Sequence, residues 1–253
     1  MIGSTPVAAM ASTGSVAFFV LLVLVVFFVF SKAAARATAT AGDPRGSRVR
    51  ATFLIGMVAI GWLLVPAILA ARGALDRWTP MPAPPLVVIG LLTLATLGLA
   101  LSPFGGKVAR KFTLAALVGF QFFRVPLELL LNRLGHEGLL PMAMTLHGRN
   151  FDIVSGILAA LVAMYWLGGG RSRAAVAVWN VIGVVLLVNV VVVAVRLTPA
   201  FGAAETANVL PALFPWVWLP TFLVQAALFG HVVVFRALAR RVEPAHATEP
   251  ARA

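Results

Sequence analysis

Four polar side chains share one face of an otherwise apolar stretch: Gln121, Arg124, Glu128 and Asn132 in FTLAALVGFQFFRVPLELLLNRLG. At about 100° per helical residue they fall within an arc of roughly 80°. A guanidinium and a carboxylate flanked by two amides can hold an anionic group, carry a proton or seat another helix. Arg124 and Glu128 are also spaced to pair along the helix, and then they would serve packing alone. Gln121 and Asn132 extend the stripe beyond what such a pair needs. Pro126, between the charges, frees the carbonyl of Phe122 from its helical partner and adds an acceptor.

A second group follows in LLPMAMTLHGRNFD, where His147, Arg149, Asn150 and Asp152 cluster. Glu128, His147 and Asp152 are the candidates for acid–base work. Arg124, Arg149 and Arg196 are candidates for gripping a carboxylate or phosphate, which a guanidinium can bind through two parallel hydrogen bonds. Asn150 or Asp152 alternatively caps the helix that follows. Further along, Asn189 and Gln225 fall at depths comparable to Glu128, with Arg196 and Thr221 one or two turns away on their respective helices. These groups can line one cavity open to the outside. Deeper, Trp179 and Asn180 match His231 in depth. An Asn180–His231 hydrogen bond tying two helices together is the plain reading, and a proton relay the sharper one.

Other chemistries lack their residues. The chain has no cysteine, so thiolate metal sites and disulfides are excluded. Within the apolar segments His-x-x-Glu and Glu-x-x-His spacings are absent, and the histidines there lie at unlike depths for axial haem ligands. No metal or cofactor is expected. The glycines at 168–170 read as a turn, since no Lys-Ser/Thr pair follows to make a phosphate loop. In the fifth apolar segment, Asp152, Ser155, Gly156, Ala159, Ala160 and Ala163 form a small-residue face suited to close helix packing.

The elements that position these groups follow from composition. Of 253 residues, 61% are hydrophobic and 11% charged, against about 45–50% and about 25% in soluble domains. The solvent for most of the chain is therefore lipid. Spans of roughly 20 apolar residues are expected near 15–31, 51–71, 86–102, 112–134, 151–167, 174–197 and 216–238. This is an all-α polytopic bundle of about seven spans, one domain over 1–238, with a disordered tail at 239–253. The PFGGKVARK stretch reads as a basic turn, and 135–150 as an interfacial or re-entrant segment.

Orientation follows from Lys and Arg. With the N-terminus outside, the cytoplasmic side holds Lys32, Arg36, Arg45, Arg48, Arg50, Lys107, Arg110, Lys111, Arg171, Arg173, Arg236, Arg240, Arg241 and Arg252. The external side holds only Arg72, Arg77, Arg133, Arg149 and Arg196. The first span has its positive charge after the apolar run, the reverse of a cleaved signal peptide. The net charge of +12 sits in short clusters without interleaved aromatics, a pattern for lipid headgroups rather than nucleic acid. No internal repeat is visible.

QFFRVPLELLLNRL, GRNFDIVSGI, WNVIGVVLLVN and PWVWLPTFLVQAALFGH together resemble a bacterial multi-pass membrane family of hypothetical proteins. The resemblance runs from about Gln121 onward. It implies a helical membrane fold in the bacterial inner membrane and no mechanism.

The expected function is an outward-opening site within the bilayer for an anionic small molecule or a lipid headgroup, with catalysis there an open question. Its ligand residues are Gln121, Arg124, Glu128, Asn132, Arg149, Asn150, Asp152, Asn189 and Gln225, and Asn180 and His231 form the inner pair. Two other readings stay open: a transporter or proton-coupled carrier, and a non-catalytic assembly or sensor subunit. The expected partner is the lipid bilayer.

Overall fold

Apolar runs of this length have one way to satisfy their backbone in lipid, which is to become helices. The computed structural model describes residues 11–39, 45–202 and 207–240, and among them every regular element is helical. The helices are α1 (Thr13–Thr38), α2 (Arg45–Ala71), α3 (Pro84–Leu101), α4 (Pro103–Lys111), α5 (Leu114–Gly119), α6 (Arg124–His136), α7 (Asp152–Leu167), α8 (Arg173–Arg196) and α9 (Val224–Ala239). Six stretches are long and apolar enough to cross a membrane: Thr13–Thr38, Thr52–Ala71, Pro84–Leu101, Leu114–His136, Arg173–Arg196 and Leu219–Ala239. α7 is a shorter apolar helix. The tail beyond Arg240 lies outside the described residues.

Short polar side chains start several helices by accepting otherwise orphaned N–H groups. Ser12 accepts from Ser15 at 3.2 Å, Thr113 from Ala116 at 3.2 Å and Ser172 from Ala175 at 3.1 Å. Ser102 does the same for α4, with Pro103 as its first residue. The expected basic turn is thus a nine-residue helix. It forms because Val108 and Ala109 are buried while Lys107, Arg110 and Lys111 stay exposed. Gly105 and Gly106 permit this: a Cβ at Gly105 would meet the carbonyl of Ala100, and one at Gly106 the Arg236 guanidinium.

Two spans depart from regular α-helix. A 3₁₀ turn, Phe120–Phe123, separates α5 from α6 just before Pro126, and a π turn, Leu219–Leu223, contains Pro220 and precedes α9. Proline removes a backbone donor, so local winding changes around it. The π turn is braced by α2: Trp62 donates to the Thr221 carbonyl at 2.8 Å, and Trp218 donates back to that of Leu63 at 2.9 Å.

The bundle has a centre and a periphery. In Leu114–His136 and Leu219–Ala239, 61% and 56% of the most apolar stretch is buried, against 17–33% in the other four long helices. α6 and α9 are therefore central, while α1, α2 and α3 present large apolar side chains such as Leu21, Phe53 and Leu94 outward. Leu127, Leu130, Leu131 and Leu134 of α6 pack with Phe19, Val23, Leu187, Leu223 and Ala226. A second cluster joins Leu117, Val118, Ala159, Trp179 and Val233. The small face of α7 is buried at Asp152, Ser155, Gly156, Ala159 and Ala163. A Cβ at Gly156 would press on Val125 and on the Cβ of Arg124, so this face brings α7 close to α6.

The segment after α6 is a set of turns with one 3₁₀ turn, Met142–Met144. Its Leu139, Leu140, Met144 and Thr145 are buried. It folds back onto the end of α6 and brings Asn150 over Glu128.

Candidate functional site

Arg124 is the first residue of α6, and only 1% of it is exposed. Its guanidinium takes both carboxylate oxygens of Asp152, with Nε to Oδ2 at 2.7 Å and Nη2 to Oδ1. Nη1 donates to Ser155 Oγ at 2.8 Å and to His231 Nε2 at 2.9 Å. The expected pairing of Arg124 with Glu128 is therefore replaced by a bond to the next helix. The physical reason is geometric: Asp152 and Ser155, one turn apart on α7, present a carboxylate and a hydroxyl together on the face pressed against α6. A planar, forked donor matches that set better than a single carboxylate one turn along its own helix.

His231 closes the clamp from α9. A guanidinium has donors only, so Nε2 of His231 must be the bare nitrogen and Nδ1 the protonated one. Nδ1 then donates to Asn180 Oδ1 at 2.8 Å, while Asn180 Nδ2 donates to the His231 carbonyl at 3.1 Å. The inner pair expected from sequence is thus a reciprocal bond between α8 and α9. Trp179 supports it: its indole donates to the Ser155 carbonyl at 3.0 Å, and its ring centroid lies 5.4 Å from that of His231. Gly183 provides the room, since a Cβ there would strike the His231 ring and Ser155.

Glu128 sits one turn after Arg124, 2% exposed. One carboxylate oxygen accepts from Asn150 Nδ2 at 2.5 Å. Asn150 also donates to the Met144 carbonyl at 3.1 Å, and its Oδ1 accepts the Asp152 N–H at 3.1 Å. Neither of the two residues expected to cap α7 is its N-cap, which is Phe151, but Asn150 just before it accepts the first N–H of the helix. Asp152 instead spends its carboxylate on Arg124, where the positive end of the α7 dipole also favours a negative group.

Arg124, Glu128, Asp152 and Gln225 all line one cavity of about 300 Å³ between α3, α6, α8 and α9. Its remaining walls are mainly Leu and Val, with Thr93, Thr198 and Asn208 as minor polar contributors. Gln225 donates to Thr93 Oγ1 at 3.1 Å and to the Pro220 carbonyl at 2.9 Å, leaving its Oε1 buried without a partner.

The other residues singled out from sequence lie elsewhere. Gln121 donates to the Ala227 carbonyl at 3.0 Å, packs against Gly230 and is not part of the cavity wall. Asn132 meets His147 Nδ1 at 3.0 Å near the surface. Asn189 donates to the backbone carbonyl of Arg149 at 2.7 Å, while the Arg149 side chain is exposed, as is Arg196. Sequence reasoning did not assign Ser155 to Arg124 or Thr93 to Gln225. The first was signalled by its spacing of three from Asp152. The second had no signal beyond being a hydroxyl within an apolar span.

Among the described residues, no three His, Asp or Glu side chains converge as metal ligands. The rings of His136 and His147 approach to 5.6 Å, without a third such group.

A family model described as a domain of unknown function, DUF8737, covers residues 81–239. That range contains α3 to α9 and every residue of the Arg124 clamp and the Glu128 cavity. No curated protein and no solved structure matches the chain.

Proposed function

Because the chain belongs to the DUF8737 family, a domain of unknown function, we propose its role from its own residues: it binds a membrane-soluble amphiphile in the cavity beside Glu128. The ligand's apolar part fills the Leu- and Val-lined space, and a hydroxyl or amine on it donates to the Glu128 carboxyl. The observation that carries this reading is the cavity itself, apolar on nearly every side, with Glu128 on its wall held through one carboxylate oxygen by Asn150 and the other oxygen without a hydrogen bond among the described residues. Ligand pockets typically pair such apolar lining with a few placed polar groups.

The sequence offered Arg124, Arg149 or Arg196 as the grip for an anion. At Arg124 that grip is occupied, because Asp152 neutralises the guanidinium and Ser155 and His231 take further donors. What remains available to a ligand is an acceptor. A proton relay through the clamp is equally disfavoured, since Arg124 stands in its middle and a guanidinium does not give up its proton. Docking of a separate helix on the polar stripe is disfavoured too, because Gln121, Arg124 and Glu128 are buried within the chain.

The proposal includes seven crossings in a bacterial cytoplasmic membrane, with the N-terminus outside. α7 spans about 24 Å at 1.5 Å per residue, somewhat short of a hydrocarbon core of about 30 Å. Its start neighbours Asn189, near the far end of α8, through Arg149. Its other end leads by a short turn to Arg173, whose guanidinium donates to the carbonyls of Leu238 and Arg240. α7 therefore runs the length of α8, and counting it puts the basic clusters on one side.

The test is native mass spectrometry of the full chain purified in mild detergent. A bound amphiphile should co-purify, weaken about tenfold in Glu128→Leu through loss of that hydrogen bond, and be expelled by Val191→Trp, which fills the cavity. Protein that carries no such mass, or that keeps it in both variants, defeats the proposal.

A further inference from the structure

A second groove shares no lining residue with the Glu128 cavity. It lies among α1, α4, α5 and α9 and encloses about 470 Å³. Phe30, Phe104, Phe112, Leu117 and Val233 make its apolar wall, and Lys32 and Arg36 of α1 stand on its rim. These two cations are four residues apart, hence on one helix face, and both are exposed. The Lys32 ammonium lies 5.3 Å from the ring centroid of Phe28, one turn before it, a cation–π contact that holds the charge at the edge of the aromatic wall. Among the described residues neither cation has a carboxylate partner, the two ion pairs there being Arg124–Asp152 and Arg133–Glu137.

We propose that this groove binds an anionic phospholipid, with an acyl chain along the aromatic wall and the phosphate between Lys32 and Arg36. Charge complementarity selects the occupant. An apolar slot ending in two cations fits a hydrocarbon tail ending in a phosphodiester, and the ammonium of a zwitterionic headgroup would face a basic rim. α4 sets the level. It packs on α1 with Val108 buried and Lys107, Arg110 and Lys111 exposed, the arrangement of a helix lying at the boundary between headgroups and acyl chains. Lys32 and Arg36 therefore meet lipid at headgroup depth, where a cation attracts anionic lipid. This site is independent of the Glu128 ligand, and either can fail without the other.

The experiment titrates the delipidated full chain in detergent with phosphatidylglycerol and, separately, phosphatidylcholine of the same chains, counting bound lipids by native mass spectrometry. One phosphatidylglycerol should bind in preference to phosphatidylcholine. Lys32→Ala and Arg36→Ala should each weaken it about fivefold. Arg171→Ala, which removes an exposed charge away from the groove, should leave it unchanged. Ala116→Trp keeps every charge and fills the slot from an exposed position, so it should abolish binding. Equal affinity for the two lipids overturns the proposal. So does equal loss in Arg171→Ala, or retention of the lipid by a monodisperse Ala116→Trp protein.

Discussion

Both carboxylate oxygens of Asp152 are taken by the guanidinium of Arg124, across the contact between α7 and α6 and 28 positions away in sequence. The pair is buried and completed by Ser155 and His231, so four side chains from three helices form one neutral-sided clamp at the centre of the bundle.

Removing one partner leaves a charge stranded. Asp152→Ala should cost about 3–5 kcal/mol, the usual penalty for breaking a buried pair, read as loss of thermal stability in detergent. Replacing both, Arg124→Met with Asp152→Leu, should cost less than Asp152→Ala alone, because no charge is then left without a partner. If the double variant melts below the single one, the pair contributes something beyond mutual neutralisation.

His231 should be the tautomer protonated on Nδ1, since Arg124 can only donate to Nε2. Nitrogen chemical shifts of labelled histidine will report this. Gly183→Ala inserts a methyl against the His231 ring and Ser155. It should destabilise by about 1–3 kcal/mol, as overpacking does, and disturb the His231 nitrogen shifts as well. A wild-type Nε2–H signal would contradict the clamp.

At the opposite end of the bundle from Arg236 and Arg173, Glu137 gathers Ser12, Ser15 and Arg133. Partial burial pushes the Glu137 carboxyl up, but the bonds from Arg133, Ser12 and Ser15 together outweigh it and hold it below the usual glutamate range. A lowered folded-state value means the stabilisation is fully present above the unfolded value and fades as pH falls through the folded one. Melting temperature should therefore drop on acidification in that window, and Glu137→Gln should flatten the drop. The effect will be modest, because Arg133 is 60% exposed and screened by water.

The absence of cysteine makes topology directly measurable. Met81→Cys should react with a membrane-impermeant maleimide added outside intact cells. Arg171→Cys should react only after the cells are opened. The reverse pattern would invert the proposed orientation.

Much of the architecture was legible because lipid imposes a length on every apolar run, and the helices lie within a few residues of those expected apart from a longer C-terminal end of α1 and a longer N-terminal end of α2. The buried face of α7 and the Asn180–His231 bond were also readable, from small residues at helical spacing and from matched depth. The partner of Arg124 was not, because sequence spacing within one helix offered Glu128, whereas the choice depends on which helix lies alongside. α4 was hidden by Gly105 and Gly106, which look like a turn but are there to pass under Ala100 and Arg236. Of the three arginines expected to offer a grip for an anion, Arg124 is occupied for the same reason as its pairing: a neighbour invisible in the sequence supplies the carboxylate.

The order of these partners along the chain also dictates how the protein enters the membrane. Arg124 is synthesised 28 residues before Asp152 and 107 before His231. Alone in lipid, an arginine near mid-bilayer carries an insertion cost of about 2.5–3.5 kcal/mol. Entering lipid together with α7, whose Asp152 supplies the matching carboxylate, therefore costs the helix bearing it less than entering ahead of α7. The clamp is complete only once α9 has added its imidazole to α6 and α7, so the core closes after these three helices have met.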